Sequence, residues 1–175
     1  MSDAARTSAG GEPAAVAALA ELRSAHATLA TAESLTGGLI GQLLTSVPGA
    51  SRSYVGGVIS YATRLKAALA GVPQPVLDAV GPVAEQTAAA MATGVAQRCA
   101  ADWGLAVTGV AGPEPQDGHP VGQVFVGIAR PGSGWVQVRE LRLDGDRAAI
   151  RAETAVTALA LLTEALRNAA RPAQR

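Results

Sequence analysis

One cysteine, one lysine, two histidines and an aromatic content of 3% leave this chain of 175 residues short of several catalytic parts. Cys99 alone rules out an intrachain disulfide framework and a thiolate metal site. Its alanine-rich helical surroundings give it the role of a small buried apolar residue. His26, in a helix tail, and His119, in a loop, do not supply a Ser-His-Asp triad or a metal cluster, so no metal and no cofactor are expected. The 14 basic and 14 acidic residues balance, without any Lys/Arg run. A protein that grips a nucleic-acid backbone carries a basic excess, so nucleic acid is not an expected partner. No run reaches the ~18 apolar residues of a membrane span, and the amino terminus has Asp3 and Arg6 in place of a signal-peptide core. A cytoplasmic protein that does not engage membranes is expected. The motifs G-x-G-x-x-G, G-x-x-x-x-G-K-[ST], G-x-S-x-G, S-x-x-K and H-E-x-x-H are all missing, which removes the dinucleotide, NTPase, standard hydrolase and zincin readings.

What is present is aliphatic: hydrophobic residues make up 49% of the chain. A core of Ala, Val, Leu and Ile suits helices packed closely on a sheet, and the length fits one domain of ~100–200 residues. Residues 1–12 read as a disordered tail, residues 13–170 as the domain and residues 171–175 as a second tail. Apolar spacing predicts a helix from Pro13 to about His26, a strand over Thr28–Ala32, a helix carrying Leu39, Ile40, Leu43, Leu44 and Val47, and a strand over Tyr54–Tyr61. A helix opens near Thr63 and closes at Gly71 and Pro73; a longer one runs from about Ala84 to Ala101. Leu105–Thr108 is a third strand. Val121–Ala129 and Trp135–Leu143 form an antiparallel hairpin, and a last helix covers Asp146–Ala169. The alternation predicts an α/β fold: a single three-layer α/β/α domain with a mostly parallel mixed sheet of about five strands, one of them antiparallel.

In such sheets ligands sit beyond the carboxyl ends of the strands, which directs attention to the turns there. Ser34, in Thr31-Ala32-Glu33-Ser34-Leu35-Thr36-Gly37-Gly38, stands where a strand ends. It reads either as a nucleophile or as a helix cap, a role Thr36 shares. Gly37 and Gly38 bare the helix mouth, whose N–H groups then suit an oxyanion hole or anion site. Without a histidine, a serine nucleophile needs another base. Lys66, the only lysine, falls in the first turn of a helix capped by Thr63, where the macrodipole and desolvation lower its pKa; Tyr61 is placed to relay or orient the proton. The alternatives are a solvated lysine and a strand-end tyrosine. Arg147 and Arg151, four apart on the last helix, share a face suited to a phosphate, or pair with Asp144, Asp146 or Glu153.

"TAESLTGG", "GGVISYATRLKAALAGV" (Gly56–Val72), "VTGVAGPEP" (Val107–Pro115), "PVGQV" (Pro120–Val124) and "DGDRAAIR" (Asp144–Arg151) follow one another in order. Together they resemble the CinA carboxy-terminal domain family, whose stand-alone members include nicotinamide mononucleotide deamidases. The resemblance spans about Pro13 to Arg167. It implies a three-layer α/β/α fold and metal-independent hydrolysis of the nicotinamide carboxamide, giving nicotinic acid mononucleotide and ammonia. It also implies a Ser-Tyr-Lys catalytic set, which maps onto Ser34, Tyr61 and Lys66. On that footing Glu33 holds Lys66 or the carboxamide, or is an ordinary loop residue. Thr36, Gly37, Gly38 and Thr63 serve the substrate, Thr108, Gly109 and Gly112 form a wall of bare backbone, and Arg147 and Arg151 take the phosphate. Thr63 departs from the family's frequent asparagine, and Ala84 from its usual polar cap. Many members carry this domain behind a larger one similar to molybdopterin-binding folds, expected to be absent here. The rival expectation is a catalytically silent nucleotide-sensing or partner-binding module, which would tolerate loss of the Ser-Tyr-Lys set. An alanine-rich chain with exposed helix faces is suited to a homodimer or higher homo-oligomer.

Overall fold

Five strands form one sheet in the order β2-β1-β3-β4-β5. They are β1 (Leu29–Glu33), β2 (Tyr54–Ile59), β3 (Trp103–Gly109), β4 (Gln123–Arg130) and β5 (Trp135–Arg142). β1 pairs in parallel with β2 and β3, while β4 runs antiparallel to both β3 and β5. Only β4 is reversed, as the sequence pattern predicts. The computed structural model describes residues 3–171, with residues 3–10 described by backbone alone.

Helices cover both faces. α1 (Asp3–Ser24), α2 (Leu39–Thr45) and α6 (Arg147–Ala170) lie on one; α3 (Thr63–Ala68), α4 (Gln74–Val80) and α5 (Glu85–Arg98) lie on the other. Strand parity divides the core. Leu29, Leu105 and Val107 face Leu19, Leu22, Ile40, Ile150 and Leu159, while Ala30, Ala32 and Ala106 face Met91, Ala92 and Val95. The poverty in aromatics finds its use in the second layer, where α5 lies almost on the sheet. A Cβ at Gly104 would run into the Ala92 carbonyl, and one at Gly127 into the Ala88 carbonyl.

Two elements depart from the sequence reading. α1 begins at Asp3 and contains Pro13, so residues 3–12 are helical and not an irregular tail. Gly10-Gly11 and Pro13 read locally as breakers, yet Gly11 is buried where any Cβ would meet the Leu43 side chain. Its missing side chain lets α1 approach α2, and tertiary packing overrides propensity. α4, between Gly71-Val72-Pro73 and Gly81, is a short extra helix of seven residues. Residues 1–2 and 172–175 of the expected tails lie outside the described residues. No helix among the described residues is long and apolar enough to cross a membrane.

The crossover from β1 to β2 passes through α2 on one face, and that from β2 to β3 through α3, α4 and α5 on the other. The carboxyl ends of β1, β2 and β3 therefore flank a topological switch point, where open α/β sheets bind ligands.

Candidate active site

Parity sets the floor of this crevice. Glu33 ends β1 on the same face as Leu29 and Thr31, beneath α2. Ser34, one residue on, belongs with Ala30 and Ala32 and meets α3. The Ser34 N–H still pairs with the Val107 carbonyl at 3.2 Å, and the Ser60 N–H with the Glu33 carbonyl at 2.8 Å, so the sheet grips the backbone on both sides.

Lys66 is 1% exposed, and its Nζ lies 2.7 Å from Ser34 Oγ and 3.0 Å from the Ser60 carbonyl oxygen. No ion pair involving Lys66 occurs among the described residues. Burial without a counter-charge disfavours the ammonium and lowers its pKa from the usual 10.5 to about 8. The expected helix-dipole contribution is not what acts here. α3 has six residues, its N-cap is Ala62 with no side-chain cap, and Lys66 is its fourth residue. Thr63 does not cap the helix and lines the cavity instead.

Glu33, 2% exposed, turns away from Lys66 and from the cavity. Its carboxylate accepts from Thr36 Oγ1 at 2.7 Å and from the backbone N–H groups of Gly38, Ile40 and Gly41 at 3.0, 3.1 and 2.8 Å. The mouth of α2, expected to be an open anion site, thus holds an anion from its own chain. Gly37 and Gly38 are required for another reason: their φ values of +60° and +102° lie in the left-handed region. Thr36 is fully buried and bonds Glu33, so it is structural.

Above this floor opens a cavity of about 400 Å³, walled by Ser34, Leu35, Tyr61, Ala62, Thr63, Lys66, Pro82, Val83, Thr108–Gly112, Glu114, Gln116 and Arg147. Thr108 presents backbone, as its hydroxyl donates to the Pro82 carbonyl at 2.6 Å and ties the β3 loop to the start of α5. Gly109 and Gly112 line the same wall. Ala84 leaves α5 without a side-chain cap, and the Thr87 hydroxyl donates back to the Gly81 carbonyl at 2.7 Å, tying the preceding turn to the helix.

The rim separates the two arginines that the sequence treats alike. Arg147 reaches the Gly112 carbonyl at 2.7 Å and the Tyr61 hydroxyl at 3.0 Å, facing the cavity. Arg151 sits behind the Ser34 turn, Nε donating to the Leu35 carbonyl and a terminal nitrogen to the Thr36 carbonyl, each at 2.9 Å. Neither arginine pairs with Asp144, Asp146 or Glu153; Asp146 instead caps α6 by accepting from the Ala149 N–H. Tyr61 is 60% exposed, and its hydroxyl makes no hydrogen bond to Ser34 or Lys66.

Of the expected residues, Ser34, Tyr61, Thr63, Lys66, Thr108, Gly109, Gly112 and Arg147 meet around one cavity, and Glu33, Thr36, Gly37, Gly38 and Arg151 stand behind it. Sequence reasoning missed Leu35, Pro82 and Val83, which carry no polar signal, and Glu114 and Gln116, whose loop offered only turn residues. No group of three His, Cys, Asp or Glu able to hold a metal ion occurs among the described residues.

The model of the CinA C-terminal domain matches residues 12–166. A CinA-like protein of Frankia casuarinae is 53% identical over 140 residues, covering 80% of this chain and 32% of the relative. A CinA-like protein of Myxococcus xanthus is 43% identical over 155 residues, covering 87% and 36%. The chain thus spans about a third of the length of these curated relatives. Among solved structures, a CinA superfamily protein of Klebsiella pneumoniae superposes with a TM-score of 0.86 at 28% identity, covering 90% of this chain and 98% of that one. The competence/damage inducible protein CihA of Agrobacterium tumefaciens gives 0.84 at 36%, covering 90% and 96%. With its fold and the great part of its length matched, the chain belongs to the CinA C-terminal domain family.

Proposed function

We propose that the protein hydrolyses the carboxamide of nicotinamide mononucleotide to the carboxylate and ammonia, with Ser34 as nucleophile and Lys66 as its base. The observation that carries this reading is the 2.7 Å contact between Lys66 Nζ and Ser34 Oγ at the floor of a cavity, with the amine fully buried. A pKa of about 8 leaves about a tenth of the lysine neutral at pH 7, against about one part in several thousand for an unperturbed one.

In this mechanism neutral Lys66 takes the Ser34 proton as Oγ attacks the carboxamide carbon. The tetrahedral oxyanion forms beside the Leu35 N–H, which donates to no acceptor among the described residues. Collapse breaks the C–N bond, and the Lys66 ammonium returns its proton to the departing nitrogen, releasing ammonia. Water then attacks the acyl-enzyme and gives its proton to Lys66. Ser34 leaves and takes that proton from Lys66, and the carboxylic acid so formed loses its own proton to solvent as the carboxylate. Tyr61 acts at the rim, holding Arg147, which faces the substrate phosphate. The family resemblance supplies the substrate; the pocket supplies a base, a nucleophile and one cation for the phosphate.

The test is ammonia release from nicotinamide mononucleotide, nicotinamide and NAD by the protein and its Ser34→Ala variant. Turnover of the mononucleotide that disappears in the folded variant is expected. A variant retaining a tenth of the rate would remove Ser34 from the mechanism, and a wild type inactive on all three would remove the substrate assignment.

A further inference from the structure

The turn carrying Ser34 has two backbone hydrogen bonds of its own, from the Gly37 N–H to the Ser34 carbonyl at 3.1 Å and from the Leu39 N–H to the Thr36 carbonyl at 3.3 Å. Between Glu33 and α2 it contains two consecutive left-handed glycines, and glycine adds conformational freedom where one geometry is needed. Glu33 secures its α2 end by accepting N–H groups. The Leu35 carbonyl has no backbone donor among the described residues, and the Thr36 carbonyl has only the long bond from Leu39. They belong to successive peptides and both meet Arg151, whose Nε and terminal nitrogen each donate at 2.9 Å. A planar fork matches such a pair of acceptors, and a lysine ammonium does not. Gly37 packs against the same guanidinium: a Cβ there would stand 3.3 Å from its terminal nitrogen.

Arg151 has no carboxylate partner within salt-bridge distance among the described residues and does not line the cavity, so its charge acts on neutral carbonyls. Hydrogen bonds to a charged group are the strong ones. We infer that Arg151 is a positioning residue for Ser34, holding the Leu35 and Thr36 carbonyls so that the Ser34 hydroxyl stays on Lys66. This rests on the reading of Ser34 as nucleophile. It differs from a phosphate-binding role, since a residue behind the turn governs reactivity and not substrate affinity.

The experiment measures the rate at which a fluorophosphonate modifies Ser34, followed by intact-mass spectrometry, in the wild type, Arg151→Ala, Arg151→Lys and Arg167→Ala. Arg167 is an exposed arginine on the same helix that pairs with Glu21. Arg151→Ala is expected to slow modification by about ten-fold or more, because misplacing a nucleophile by a fraction of an ångström is costly. Arg151→Lys should recover only part of the rate, Arg167→Ala should match the wild type, and millimolar guanidinium should partly restore Arg151→Ala. In steady state, kcat for the mononucleotide should fall with KM within about two-fold. A wild type unmodified at Ser34 overturns the nucleophile reading and this inference with it. Equal rates in wild type and Arg151→Ala, with Ser34 modified in both, overturn the inference alone. A loss that tracks thermal unfolding and is not rescued by guanidinium overturns it in favour of a purely structural arginine.

Discussion

The floor and the rim of the cavity are built on opposite plans. At the floor, Ser34 and Lys66 are under a tenth exposed and bonded to each other, and beneath them Glu33, equally buried, is fixed by four hydrogen bonds. At the rim, Tyr61 and Arg147 face solvent and hold each other through one hydrogen bond, with the Gly112 carbonyl as the only other anchor of Arg147 among the described residues. Folding sets the geometry of the floor in advance, where low dielectric strengthens each contact. The rim groups remain wet, and their contacts are correspondingly weak.

Breaking the floor should have the largest effect. Lys66→Met removes the proposed base and is expected to lower kcat by three orders of magnitude or more, on the scale seen when a member of a catalytic set is lost. In the wild type, kcat/KM should rise with pH through about 8 as Lys66 becomes neutral. A variant with unchanged activity, or a profile with no limb there, would move the base elsewhere. Stability follows the same group with a definite sign. The folded pKa lies below the unfolded one, so the unfolded chain binds more protons between about 8 and 10.5, and wild-type stability rises across that window. Relative to Lys66→Met the gain should approach ~3 kcal/mol, read from denaturant unfolding at both pH limits. Parallel curves for the two proteins would contradict it.

A smaller effect should come from beneath the floor. Glu33→Gln keeps the shape of the side chain but presents an amide to a cluster of four donors, one hydroxyl and three N–H groups. A loss of ~2–4 kcal/mol is expected, a fall of about 10 °C in Tm for a domain of this size. An unchanged Tm would show that the carboxylate is not what orders the start of α2. The smallest effect belongs to the rim: Arg147→Ala should raise KM for the mononucleotide about ten-fold with little change for the phosphate-free riboside. Equal changes for both would remove the phosphate assignment and sharpen the view of Arg147 as a support for Tyr61.

Periodicity exposed most of the fold because the layers are regular. Strand parity and helix spacing placed β1, β3 and α6 within a residue or two, and the reversal at β4 followed from the short Arg130–Gly134 connection. The amino-terminal turns of α1 were hidden because Gly11 functions as a contact surface, a fact that depends on Leu43 more than thirty residues away. At the site, Ser34 was legible from its place at a strand end, and Lys66 from being the only lysine, set in the helix after the next strand. The destinies of Glu33, Arg147 and Arg151 were not, because charge type alone does not tell which neighbour a side chain reaches. Arg147 and Arg151 lie one helical turn apart, yet one meets the cavity and the other the back of a turn.

The seam between α5 and the sheet gives residues outside the cavity a mechanical hold on it. Gly127 lies on β4, and the carbonyl it would strike belongs to Ala88, in the first turn of α5. That turn follows directly on Pro82 and Val83, which form a wall of the cavity, and Pro82 is bonded to Thr108 across it. A single methyl group added at Gly127 would act as a wedge: α5 must slide outward, and the wall attached to its leading end moves with it. The clearance between a helix and a strand thereby becomes a dimension of the pocket, set by a residue that does not line it.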